Sequence, residues 1–154
     1  MKAFSMLLDR LIAATPEERP AIEQWLRHSF EKRKAVLALD MSHFTLLVRR
    51  DGILAYLCQI RRMQRLTLPI VRSHQGEVVK YDADNLLAVF EEPIQAVEAA
   101  IAMQRAAANM GRGGSAMTFS IGIDYGEVLL IAEADCFGDA VNFAYKLGED
   151  VAQA

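Results

Sequence analysis

Lys80-Tyr81-Asp82-Ala83-Asp84-Asn85-Leu86-Leu87-Ala88-Val89-Phe90 reads as the end of one strand, a tight acidic turn and a second strand. The run after the turn is apolar throughout, which predicts a strand buried on both faces. It belongs with a second stretch, Ala35-Val36-Leu37-Ala38-Leu39, an apolar run closed by Asp40. Two carboxylates at the mouths of two hydrophobic strands suit a divalent metal and a triphosphate. The bland alternative is that both acids merely cap strand ends in loops.

What decides between these readings is whether Asp40 and Asp84 meet. A ferredoxin-like βαββαβ order brings them together, because its first and third strands lie side by side and antiparallel. The C-terminal end of the first strand then touches the N-terminal end of the third. Asp40 ends the one and Asp84 opens the other.

The 154 residues fit one domain, and a composition 53% hydrophobic and 24% charged supplies enough apolar material for a core. A net charge of −3 leaves no electrostatic footprint for nucleic acid. Arg49-Arg50, Arg61-Arg62 and Arg65 fall within a helical pattern and read as a solvated face. Cys58 and Cys136 stand far apart with no metal-binding spacing. Cys58, in an apolar run, is expected to be a buried thiol, and a reducing cytoplasm is the expected compartment. The N-terminus lacks the pattern of a signal peptide, and no apolar run is long enough to span a bilayer.

Along the chain, residues 4–14 read as a short amphipathic helix. Thr15-Pro16-Glu17-Glu18 is a strong helix start, with Thr15 as N-cap and Glu18 closing a capping box. That helix is expected to run to about Lys34, with Ile22, Trp25, Leu26 and Phe30 on one stripe. Strands are expected at 35–40, 76–80 and 84–90. Residues 44–72 read as mostly helical, punctuated by Asp51-Gly52 and Pro69. An alanine-rich helix is expected from Pro93 to about Met110, with Ile94, Val97, Ala100, Ile101 and Gln104 along a face. Residues 111–115 read as a loop. Met117–Asp124 and Glu127–Ala132 read as a hairpin through Tyr125-Gly126, and Val141–Val151 as a final helix.

These pieces together resemble the catalytic domain of the class III nucleotidyl cyclases, the adenylate and guanylate cyclases. Leu39-Asp40-Met41-Ser42-His43-Phe44-Thr45 is similar to the family's first metal motif. Gly76-Glu77-Val78-Val79-Lys80, followed by Ala83-Asp84 and Ala88-Val89-Phe90, is similar to the second. Ile121-Gly122-Ile123 with Gly126-Glu127-Val128 resembles its next hairpin, and Phe137-Gly138-Asp139-Ala140-Val141-Asn142 the start of its catalytic helix. The resemblance runs from about Lys34 to Asp150. It implies an α/β fold with a ferredoxin-like cyclase core over residues 34–154, preceded by a helical extension over 1–33.

The same resemblance implies roles. Asp40 and Asp84 would hold two divalent cations, magnesium or manganese. Lys80 and Asp135 would read adenine, which favours ATP as substrate. The turn from Met41 to Thr45, with Phe44 and Thr45, would cradle phosphate through backbone N–H groups. Asn142 would orient the ribose, and Lys146 occupies the place of an arginine that stabilises transition-state charge. The implied reaction converts ATP to 3′,5′-cyclic AMP and pyrophosphate in a homodimer with shared active sites, coupled to a possible upstream sensor region.

Three departures from the family pattern stand out. Lys146 keeps a charge but loses the planar fork of arginine. His43 and Ala83 replace glycines. The chain also stops before strands that family domains carry further on, which reads as a C-terminal truncation. A non-catalytic cyclase-like module that binds nucleotide or a partner is the alternative reading. The diguanylate cyclases share the sheet topology, but no Gly-Gly-acid-acid-Phe hairpin occurs here.

Overall fold

The structure, a computed structural model, describes residues 2–41, 49–111, 117–132 and 134–151. Two helices lead the chain, α1 (Lys2–Ala13) and α2 (Arg19–Phe30). Strand β1 (Glu31–Met41) follows, then helix α3 (Ile53–Ser73), strands β2 (Glu77–Asp82) and β3 (Asn85–Phe90), and helix α4 (Pro93–Gly111). Strands β4 (Phe119–Ile131) and β5 (Asp135–Phe137) precede helix α5 (Asp139–Lys146), which runs into a wider π-type turn at Leu147–Val151. The five strands form one antiparallel sheet in the order β2-β3-β1-β4-β5. Its first four strands by sequence have the ferredoxin-like arrangement.

The capping box forms as expected. The Thr15 N–H donates to Glu18 Oε2 at 3.1 Å and the Glu18 N–H donates to Thr15 Oγ1 at 3.3 Å. The regular helix starts one turn later, at Arg19, and ends at Phe30 rather than near Lys34. The reason is pairing. Glu31 to Lys34 lie in register with Leu129 to Gly126, so β1 begins at Glu31 and not at Ala35.

That long register also removes the expected hairpin at Tyr125-Gly126. Strand β4 continues through both residues because Ala35 and Lys34 stand opposite them. Pro69 likewise sits inside α3 and does not end it.

Burial on β1 is double-sided. Ala35, Leu37 and Leu39 face a layer made by α3 and α4, where Met63, Val71, Ala96, Ala99, Met103 and Ala107 are buried. Val36 and Ala38 face the other layer, with Leu87, Val89, Val128, Ala140, Val141 and Ala144. Leu86 to Phe90 of β3 are all buried, as the unbroken apolar run implies. Each fully buried Leu or Val contributes about 1.5–3 kcal/mol.

Two readings of side-chain placement are corrected. The inner face of α4 is the stripe Ala96, Ala99, Met103 and Ala107, while Ile94, Val97 and Ile101 are 60%, 41% and 45% exposed. Small side chains let that helix sit close to the sheet, and the branched residues turn outward. Gln104 remains tied to the sheet through Nε2, which donates to the Phe119 carbonyl at 2.7 Å. Cys58 is exposed, not buried, because the inner face of α3 there is taken by Tyr56 and Met63. The arginines at 49, 50, 61, 62 and 65 are exposed, as expected of a solvated face.

Candidate active site

Asp40 and Asp84 meet. Antiparallel pairing of β1 with β3 places Asp40 opposite Asn85. The Met41 N–H donates to the Asp84 carbonyl at 3.3 Å, which pins the β2–β3 turn to the end of β1. Burial pushes the Asp40 carboxyl up to about 6. The carboxylates of Asp84 and Glu149 and a side-chain hydrogen bond shared with Asp84 act in the same direction, and the Met41 N–H acts against them.

Two carboxyl groups close enough to share a proton offer hard oxygen donors at one point. Magnesium takes one or two carboxylates from a protein and completes its shell with water and phosphate oxygens. The pair fits such a cation. Among the described residues no cluster of three or more His, Cys, Asp or Glu side chains exists that would hold a metal by itself. Asp82, the third acid of the turn, is exposed.

Lys80 and Asp135 also meet. The Lys80 Nζ lies 2.9 Å from Asp135 Oδ1, with the side chains 34% and 22% exposed. The hydrogen bond to Asp135 is the main reason the lysine is held above its ordinary range. A β-bulge precedes the lysine. Val78 pairs with Ala88 and Lys80 pairs with Leu87, so Val79 is an extra residue. Val79 and Lys80 both turn to the face of Leu87 and α5. The next residue, Tyr81, returns to the other face, where its hydroxyl lies 3.0 Å from the buried Thr67 Oγ1.

Asn142 and Lys146 are exposed and lie one turn apart on α5. Phe143 and Leu147, beside them, are 55% and 41% exposed, while Ala140, Val141 and Ala144 face the sheet. The structure gives Asn142 and Lys146 no hydrogen bond or ion pair to Asp40, Asp84, Lys80 or Asp135. Ser42 to Thr45, including His43, Phe44 and Thr45 of the expected phosphate turn, lie outside the described residues.

Two tyrosines near these pairs carry no sequence signal. Burial raises the Tyr56 phenol, and the charges of Asp84 and Asp40 raise it further, so α3 brings this ring into the field of the carboxylate pair. Burial also raises the Tyr145 phenol, with Lys80 opposing and Asp82, Asp135 and Glu149 adding. Each sits in an apolar helical stretch, where a tyrosine reads as core. Cavities of about 620 Å³ and 600 Å³ lie instead around α1 and α2, and no residue of the two pairs lines either of them.

No protein-family model matches the chain. A curated relative, "Putative adenylate cyclase 3" of Rhizobium meliloti (strain 1021), is 32% identical over 116 residues. The match takes in 73% of this chain but only a fifth (20%) of that relative's length. The solved adenylate/guanylate cyclase/hydrolase of Silicibacter pomeroyi is 30% identical, with a TM-score of 0.68 over 77% of this chain and 70% of that one. The guanylyl cyclase Cya2 shares the fold at 20% identity, with a TM-score of 0.64 over 77% of this chain and 70% of that one.

Proposed function

Because the chain belongs to the class III adenylate and guanylate cyclase family, we propose that it converts ATP to 3′,5′-cyclic AMP and pyrophosphate, at sites shared between two copies. The observation that supports this best is the Asp40–Asp84 contact, which no isolated strand cap requires. Asp40 and Asp84 would hold two magnesium or manganese ions, which supply Lewis acidity toward the ribose 3′-hydroxyl and the departing pyrophosphate.

Donor counting supports adenine reading. Asp135 Oδ1 accepts from both Lys80 Nζ and the Cys136 N–H, each at 2.9 Å. That leaves Oδ2 to accept from an exocyclic amine. The lysine ammonium has three donors and uses one on Asp135, so another serves the ring nitrogen beside that amine. A guanine presents an N–H and a carbonyl at these points and reverses both demands.

The exposed Asn142 and Lys146, flanked by exposed Phe143 and Leu147, support a site completed by a second copy. Asn142 would orient the ribose and Lys146 would place a cation at the triphosphate. The helices α1 and α2 precede the sheet and would carry a signal from an upstream sensor region.

The test is complementation. Asp84→Ala and Asn142→Ala chains, each inactive alone, should regain cyclic AMP formation from ATP with manganese when mixed, since one site of a mixed dimer carries neither defect. Mixed dimers without activity would place each site within one chain. Lys146 in the place of an arginine favours a second reading, a nucleotide-binding module without turnover. Under it the protein binds ATP with manganese and releases no pyrophosphate, and Lys146→Arg creates no activity.

A further inference from the structure

Asn85 opens β3 directly opposite Asp40 on one side and Asp82 on the other. Directly opposed residues of an antiparallel pair point to the same face, with Cβ atoms about 4.5–5.5 Å apart. Asn85 therefore shares its face with Asp40 and follows Asp84 in the chain. Its Oδ1 is buried and, among the described residues, has no hydrogen-bond partner. A buried carbonyl oxygen without a donor costs stability, so an orphan of this kind asks for an explanation. The residues directly opposite it are Asp40 and Asp82, and Asp84 precedes it; as carboxylates these accept hydrogen bonds and donate none.

What such a cluster of oxygens lacks is positive charge. We propose that Asn85 is a third oxygen ligand of the cation site, its side-chain carbonyl completing a set with Asp40 and Asp84. This rests on the reading of those two acids as the metal site and goes beyond it. Amide carbonyls are ordinary ligands for hard divalent cations. A neutral oxygen suits this position because a third carboxylate would add repulsion to two that already lie together.

The test measures manganese alone, by calorimetry and by the electron paramagnetic resonance signal of free Mn2+, on the full chain without nucleotide. Asn85→Ala should weaken Mn2+ binding about tenfold. In EDTA the same variant should unfold at the wild-type temperature or higher, because it removes an orphaned acceptor. Asn85→Asp should bind Mn2+ more tightly than wild type and unfold at a lower temperature in EDTA. Binding by Asn85→Ala within twofold of wild type, with Asp84→Ala unable to bind, would overturn the role of Asn85 and leave the cation site standing. A lower unfolding temperature in EDTA for Asn85→Ala with unchanged Mn2+ binding would assign Asn85 a structural role. If Asn85→Ala does not fold, Asn85→Asp decides by the direction of its change in Mn2+ binding. A wild-type chain that binds no Mn2+ would overturn this ligand and the two-carboxylate site together.

Discussion

Lys80 and Asp135 stand on the two opposite edge strands of a five-stranded sheet, yet their side chains meet at 2.9 Å. Flat strands spaced about 4.8 Å apart would hold these edges far beyond the reach of a lysine. The sheet curls about α5, so that Val79 of β2 and Cys136 of β5 share one buried cluster. The Lys80–Asp135 contact is thus made by curvature, which is not a property of the two residues themselves.

Lys80→Met, which removes only a partly exposed ion pair, should cost less than about 1 kcal/mol. Urea unfolding measures this, and a loss of several kcal/mol would make the pair a structural tie between the two edge strands. Lys80→Glu should lower the ATP-to-GTP rate ratio, and an unchanged ratio would remove Lys80 from base reading.

Asp40→Ala and Asp84→Ala should each lose cyclase activity and stay folded. Activity above a tenth of wild type in either, a barrier change under about 1.4 kcal/mol, would end the two-metal assignment. Without metal, Asp40→Asn should unfold at the wild-type temperature or higher, since it relieves the repulsion with Asp84 and Glu149. Thermal unfolding in EDTA measures this.

The turn that carries Asp84 holds Ala83 at φ +49°. A side chain in the left-handed region costs about 1–2 kcal/mol. Ala83→Gly should therefore stabilise the protein by about 0.5–1 kcal/mol, despite the larger entropy of glycine in the unfolded chain. A loss of stability on urea unfolding would show that the turn is not strained.

Gly122 is where α5 lies against the sheet. A Cβ there would meet the Ala144 carbonyl oxygen at 1.8 Å and the Gly148 nitrogen at 2.6 Å. Both are backbone atoms and cannot swing aside, so Gly122→Ala should cost about 2–3 kcal/mol. It should also lower turnover, because the helix that bears Asn142 and Lys146 must shift. A variant as stable as wild type would place α5 further from β4 than described.

Burial raises the Cys136 thiol to about 11, while Cys58 is exposed. At pH 8 the thiolate fraction of Cys136 is on the order of 0.1%. Iodoacetamide should therefore label one cysteine of the native chain, Cys58. Labelling of Cys136 should rise about tenfold per pH unit until its pKa is passed. Peptide masses after digestion give the sites, and native labelling of both cysteines at similar rates at pH 8 would contradict the burial of Cys136.

The order of elements as far as α4 and the Asp40–Asp84 contact were legible in the residues alone. Apolar runs closed by acids mark strand ends, and a ferredoxin-like order makes the first and third strands antiparallel neighbours, so no side-chain detail is needed to bring those ends together. The capping box at Thr15 and Glu18 is local chemistry and was equally legible.

Tertiary structure decided the rest. Tyr125-Gly126 carries a turn signal, but a ladder running from Glu31↔Leu129 to Met41↔Phe119 outweighs it and keeps β4 straight. The outward stripe of α4 and the exposed Cys58 were misread because periodicity shows that a helix has apolar faces, not which one the sheet takes. The three-residue β5, the Val79 bulge and the orphaned Asn85 oxygen exist only as relations between strands. Sequence carries the periods and the caps. Long-range pairing sets the register, and register chooses which face each chemical group meets.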